Sequence, residues 1–254
     1  MFMERLVSPL PKFFFSPDGP VGDSLVLTGE NAAHARVLRL RPGDAVTVCD
    51  ARGTDYACTV RSVSAEEVLL DVCSGAASAA EPRVSCSVYV AFPKADKLEH
   101  IIQKATELGA CEIVAFPSSR CVSRPDDRSL QKKLERWQKI AASAAEQSGR
   151  GRIPQVLVMD SYAAAIERAA RAELALFPYE NEQSCGLRAA IGSARFTTAS
   201  IVTGPEGGFS PQEVALAQEN NMKICSLGPR ILRCETAPLC ALSALLFASG
   251  DLDL

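Results

Sequence analysis

The stretch from Ile201 to Phe247 constrains this chain most, because it reads as two consecutive units of strand, glycine loop and helix. In the first, the apolar run Ile201-Val202-Thr203 stops at Gly204-Pro205-Glu206-Gly207-Gly208-Phe209, after which Ser210-Pro211-Gln212-Glu213 opens a helix. Ser210 at the N-cap and Glu213 three residues on make a capping box, and Pro211 falls at the first helical position, where its missing N–H is not needed. In the second, Lys223 to Leu227 is a strand, Gly228-Pro229-Arg230 breaks it, and Ile231-Leu232-Arg233-Cys234-Glu235-Thr236 leads into an apolar helix through Phe247. If the strands are parallel, both loops lie at one edge of one sheet, beyond the carboxyl ends where open α/β sheets bind ligands. Glycines let the main chain come close to such a ligand. Neither loop carries G-x-x-x-x-G-K-[ST] or G-x-G-x-x-G, so the usual nucleotide motifs are absent.

Upstream, the grammar alternates in the same way, as an α/β sheet requires. Val84 to Phe92 reads as a strand ending at Pro93-Lys94, followed by a helix with Leu98, Ile101, Ile102, Ala105 and Leu108 on one face. Cys111 to Phe116, Val156 to Met159 and Leu174 to Phe177 are further strands, with a helix around Ala163 to Ala170. Leu176-Phe177-Pro178 would end at the same edge as the glycine loops. Before this part, Leu25 to Val72 reads as a small β module. Its strands at Val46 to Val48, Tyr56 to Val60 and Val68 to Val72 are separated by polar turns, and a helix at Glu30 to Leu38 presents His34, Arg36, Arg39 and Arg41 near its end. Cys73 to Pro82 is small and polar, and the domain boundary is placed there.

The net charge of -3 argues against an indiscriminate nucleic-acid binder, but residues 119 to 152 carry nine basic and four acidic side chains. The helix from Arg128 to Gln147 buries Leu130, Leu134, Trp137, Ala141 and Ala144, which leaves Lys132, Lys133, Arg136 and Lys139 outside. Arg120, Arg124, Arg150 and Arg152 flank it, and arginines so placed can grip phosphates. Ten scattered cysteines without a C-x-x-C pair, and His34 and His100 as the two histidines, make a metal site unexpected and point to a reducing cytosol. No apolar run approaches a membrane span, and no signal-peptide core is expected.

Gly204 to Ser210 followed by Leu227 to Ala237 resembles the S-adenosylmethionine site of the SPOUT methyltransferases, and within them the family of bacterial 16S ribosomal RNA uridine N3-methyltransferases. His34 to Arg39, Ile102 to Gly109, Trp137 to Ile140 and Glu146 to Arg150 extend the resemblance over essentially the whole chain. It implies an α/β fold with a knotted parallel-sheet methyltransferase domain behind a small PUA-like β-barrel. The expected division is residues 1–73 for an RNA-binding barrel, 74–82 for a linker, and 83–254 for the methyltransferase domain with its C-terminal trefoil knot. S-adenosylmethionine would be held by Leu176, Phe177, Pro178, Thr203, Gly204, Pro205, Glu206, Gly207, Gly208, Leu227, Gly228, Arg230, Ile231, Leu232, Thr236 and Ala237. Glu206 and Glu235 are candidate bases for the uridine N3 proton, and Arg230 or Arg233 could stabilise charge on the uracil carbonyls. RNA contacts would come from His34, Arg36, Arg39, Arg41, Arg120, Arg124, Lys132, Lys133, Arg136, Arg150 and Arg152. The expected setting is a cytoplasmic homodimer acting on 16S rRNA or the small ribosomal subunit, without metal or membrane. Three readings compete with it: a phosphate-handling enzyme with an anion nest at the glycine loop, a non-catalytic rRNA-binding assembly factor, and methylation of a different RNA nucleotide.

Overall fold

The computed structural model describes residues 10–15, 21–122, 127–193 and 195–253. The chain divides into two compact units, one made of residues 1–81 with Gly149–Arg152, the other of 82–148 and 153–254.

In the first unit β1 (Lys12–Phe14), β2 (Ser24–Thr28), α1 (Gly29–Val37), β3 (Ala45–Cys49), β4 (Thr54–Val63) and β5 (Glu67–Ala77) follow in order. The strands form a mixed sheet, β1-β3-β4-β5-β2, in which the β1–β3 pair is parallel and the others antiparallel. Alternate residues, Val46 and Val48, Cys58 and Val60, Val68 and Leu70, point inward and close a core with Phe13, Leu27, Ala32 and Ala35. This is the small PUA-like β unit that was expected. β5 runs on to Ala77, so residues 74–77 are strand rather than linker: they pair with Thr54 to Ala57 across a register shift. The segment Gly149–Arg152, expected in the second domain, belongs here because Glu81 holds it. The carboxylate accepts from the backbone N–H of Gly151 at 2.8 Å and of Arg152 at 3.1 Å, and from both Nε and Nη2 of Arg150.

The second unit runs β6 (Ser85–Ala91), α2 (Lys97–Leu108), β7 (Glu112–Phe116), α3 (Asp127–Gln147), β8 (Gln155–Val158), α4 (Tyr162–Ala169), β9 (Leu174–Pro178), α5 (Leu187–Ile191), β10 (Thr198–Thr203), α6 (Pro211–Glu219), β11 (Lys223–Cys225) and α7 (Thr236–Ser249). Its sheet is parallel at every described pairing, in the order β11-β9-β10-β6-β7-β8. Both faces are covered, so each strand sends alternate side chains into two different cores. Val88, Val90, Ile113, Leu174, Leu176 and Ile201 meet α2, α3 and α7 on one side. Tyr89, Ala91, Val114, Phe116, Phe177 and Val202 meet α4 and α6 on the other. Near-continuous apolar runs are what such a two-sided sheet demands.

The capping box of α6 is present, and Glu213 does more than cap. Its carboxylate is 7% exposed and accepts from the N–H of Ser210 at 2.8 Å, and from the N–H and hydroxyl of Ser119 at 2.7 and 2.9 Å. Burial works against its ionisation, but these hydrogen bonds win and hold the carboxyl below its ordinary 4.5. A carboxyl lowered in the fold stabilises above its ordinary value and loses that contribution as the pH falls through the lowered one. Glu213→Gln should therefore cost about 1–3 kcal/mol at pH 7. In denaturant melts its deficit against wild type should shrink as the pH drops below 4.5; a deficit independent of pH would contradict this.

Candidate active site

Three adjacent strands deliver the site. β9, β10 and β11 are parallel neighbours, with Ile201 beside Leu176 and Cys225 beside Pro178, so their carboxyl ends emerge at one edge. Each exit is anchored. Tyr179 N–H donates to Cys225 O at 2.9 Å, the Thr203 hydroxyl to Tyr89 O at 3.3 Å, and Ser226 N–H to Cys185 O at 2.8 Å.

The loop after β10 folds back on itself, with Gly208 N–H donating to Pro205 O at 2.9 Å. Gly204 and Gly208 make that turn possible. A Cβ at Gly204 would lie 3.2 Å from the Gly208 carbonyl carbon and 3.3 Å from the Phe209 ring, while Gly208 has φ +63° and a Cβ there would fall on the Glu180 carboxylate. The loop after β11 turns at Gly228, and Thr236 and Ala237 N–H close onto Arg233 O where α7 begins.

The segments enclose a cavity of about 400 Å³ lined by Pro178 to Glu180, Thr203 to Phe209, Ser226 to Gly228, Arg230 to Cys234, Ala237 and Lys97. That size falls within the roughly 300–1,000 Å³ of small-molecule sites. Much of the lining is main chain of glycine and apolar residues, able to hydrogen-bond a polar ligand without charged side chains.

One wall carries a cluster of ion pairs. Lys97 Nζ, on the first turn of α2, lies 3.0 Å from Glu206 Oε1 and 3.2 Å from Glu235 Oε2, and 3.6 Å from Cys234 Sγ. Lys94 N–H also donates to Glu206 Oε1 at 3.1 Å. Partial burial opposes ionisation of Glu206, but Lys97 and these N–H groups hold the carboxyl down at about 2; Glu235 is lowered against the same opposition. Burial, with a hydrogen bond to Glu235, pushes the Cys234 thiol up to about 12. The wall therefore holds two carboxylates, one ammonium and a neutral thiol near neutral pH. Arg230 and Arg233 stand exposed on the cavity lining, and among the described residues neither side chain has an acidic partner.

Most expected cavity residues come together: Pro178, Thr203 to Gly208, Leu227, Gly228, Arg230 to Leu232 and Ala237, with Arg233 and Glu206. Leu176 and Phe177 do not line it. They point to opposite faces of β9 and are fully buried, one in each core, and burying either contributes about 1.5–3 kcal/mol. The third wall lies one step later, at Pro178, Tyr179 and Glu180. Thr236 is exposed at the start of α7 and outside the lining, and Glu235 reaches the site through Lys97.

The basic residues divide among several kinds of place. His34 packs edge-on against Phe13 with ring centroids 5.5 Å apart, and the Arg36 guanidinium donates to Ala65 O. Arg39 and Arg41 are exposed in the same turn, and Arg152 is exposed with its Nε donating to Arg52 O. Arg150 is 2% exposed and committed to Glu81, which removes it from the surface it was expected to serve. In the second unit Lys132 and Lys133 are exposed on α3, Arg136 pairs with Glu99 at 2.7 Å, and Arg120 donates to Gly207 O at 2.9 Å. Arg124 lies outside the described residues.

Sequence reasoning missed Lys97, Tyr179, Glu180, Ser226, Phe209 and Cys234 as cavity residues. A signal for Lys97 existed: a cation in the first turn of a helix opposes the macrodipole, which asks for an acidic residue there. No local pattern marks Tyr179 and Glu180 beyond the strand-end rule itself.

A family model for an RNA methyltransferase domain matches residues 80–246, and one for an RNA methyltransferase PUA domain matches residues 27–73. Ribosomal RNA small subunit methyltransferase E of Bacillus subtilis is 38% identical over 86% of this chain and 88% of its own length. The protein of the same name from Mycobacterium bovis is 33% identical over 88% of this chain and 86% of its own. Among solved structures, a ribosomal RNA small subunit methyltransferase E of Neisseria gonorrhoeae bound to S-adenosyl methionine is 30% identical. It superposes with a TM-score of 0.80, covering 94% of this chain and 97% of that one. A chain whose two units both match, and whose glycine loops meet at one cavity, belongs to the family of ribosomal RNA small subunit methyltransferase E, an RNA methyltransferase with a PUA domain.

Proposed function

We propose that this chain transfers the methyl group of S-adenosylmethionine to N3 of a specific uridine in the decoding region of 16S rRNA. The observation that carries the reading is the cavity shared by the two glycine loops, with Arg230 and Arg233 exposed on its lining. Family membership supplies the RNA substrate class, and the Neisseria relative's bound ligand supports the donor.

The cavity suits such a donor. Gly204 and Gly208 let the loop fold tightly where added side chains would meet its own backbone or the Glu180 carboxylate, and main-chain groups of 204–208 and 227–232 are available to adenine, ribose and methionine. The donor supplies an electrophilic methyl carried on a sulfonium. The chain's part is to align it with the acceptor nitrogen, which converts an encounter into a near-attack geometry. Uridine N3 must also lose its proton, which passes to solvent water. A carboxyl held at about 2, as Glu206 is, is a weak base, so its ion pair with Lys97 suits it better to shaping the wall than to proton abstraction. Arg233 and Arg230 then lower the acidity barrier electrostatically, by stabilising negative charge on the uracil carbonyls.

In this reading the basic surface residues of α1 and α3 contact rRNA, α7 pairs two copies through a face that includes exposed Phe247, and the backbone at the site is knotted as a trefoil. Among the described residues no helix is long and apolar enough to cross a membrane. An rRNA substrate is consistent with work in the cytoplasm.

Calorimetry should find one S-adenosylmethionine per chain, and Gly204→Ala should weaken it about tenfold or more, or about 1.4 kcal/mol, because the added methyl presses on Gly208 main chain. Arg233→Ala should lower the methylation rate roughly 10²-fold with donor affinity nearly unchanged. Equal losses would make Arg233 a donor-binding residue instead. Nucleoside mass spectrometry of treated small subunits should show N3-methyluridine. Another methylated nucleoside would redirect the target, and donor-free RNA binding would favour an assembly factor.

A further inference from the structure

Lys97 comes from neither glycine loop. It lies on the first turn of α2, after β6, yet its ammonium touches one carboxylate from the loop after β10 and one from the entry to α7. A cation there faces the N-terminal end of the helix dipole, with Asp96 at the N-cap making no side-chain cap bond and Glu99 as the acidic residue of that turn. The Lys97 ammonium itself is held by Glu206 and Glu235. The rest of the cluster reinforces the same geometry. Lys94 N–H donates to Glu206, and the Cys234 thiol donates to Glu235 Oε2 at 3.2 Å while receiving the Lys97 ammonium at 3.6 Å. Among the described residues no second direct side-chain link joins the two segments. The backbone of each turn is closed on itself, Gly208 onto Pro205 and Ala237 onto Arg233, and the shared sheet edge sets where each turn begins, so Lys97 is the side chain that ties their far ends to each other.

We propose that Lys97 is a positioning residue that clamps the two cofactor segments to each other, Glu206 from one side and Glu235 from the other, so that S-adenosylmethionine meets one preorganised wall. This rests on the donor reading above. With the clamp in place the ligand does not have to order two independent turns, and preorganisation of that kind is worth affinity without any added contact. It also gives Glu206 and Glu235 a role apart from proton abstraction.

The test is a cycle read first without donor. In amide NMR spectra of the ligand-free protein, Glu235→Gln should move the signals of Gly207 and Gly208, in the segment to which Glu235 does not belong. Lys97→Met should move both segments, and Glu235→Gln added to Lys97→Met should have little further effect on the first. Calorimetry with S-adenosylmethionine should then show about tenfold weaker binding for Lys97→Met, with the thermal midpoint within a few degrees of wild type, and recovery to within about threefold for Lys97→Arg. If Lys97→Met does not fold, Glu235→Gln and Lys97→Arg carry the same comparison. Shifts confined to the mutated segment would overturn the clamp. Coupled shifts with unchanged donor affinity would overturn its role in binding. A wild-type protein that binds no donor would refute the donor reading and the positioning role with it, while the NMR cycle would still judge the clamp.

Discussion

The parallel register of β9, β10 and β11 is the constraint on which the rest depends. Because these strands run the same way and lie side by side, three chain segments separated by 22 residues or more leave the sheet together. A one-residue slip would exchange the faces of β9, sending Leu176 and Phe177 each into the wrong core. The two cores thus fix the register, and the register fixes which residues reach the cavity. Phe177, buried against Phe209 with ring centroids 4.5 Å apart, ties the floor of the site to the glycine loop above it.

Around that frame the charges are divided by function. The acidic pair is neutralised only in part by Lys97, on one half-buried wall. The arginines remain exposed and uncommitted on the lining, available to a second substrate. Elsewhere basic residues that looked equivalent in composition serve opposite ends: Arg150 is spent on folding a four-residue segment against Glu81, whereas Lys132 and Lys133 stay in solvent.

Local chemistry made much of this legible. The α6 capping box, the alternating apolar faces and the two glycine breaks are short-range signals, and each corresponds to an element found at that place. What was not legible depends on long-range pairing. β1 is three residues long and becomes a strand through its parallel partner β3, and α5 is a five-residue helix without a side-chain cap. Leu176 and Phe177 fall short of the cavity lining because the end of β9 is set by its pairing with β11, which reaches Pro178, rather than by its apolar run. Lys97 was missed because its partners stand 109 and 138 positions away.

The most direct measurement is a crystal structure of the chain grown with S-adenosylmethionine. Density for the donor between residues 204–208 and 227–232, with the methyl directed toward the Arg230 and Arg233 side, is the predicted result. Donor bound elsewhere on the chain, or against one segment with the other turned away, would contradict the account.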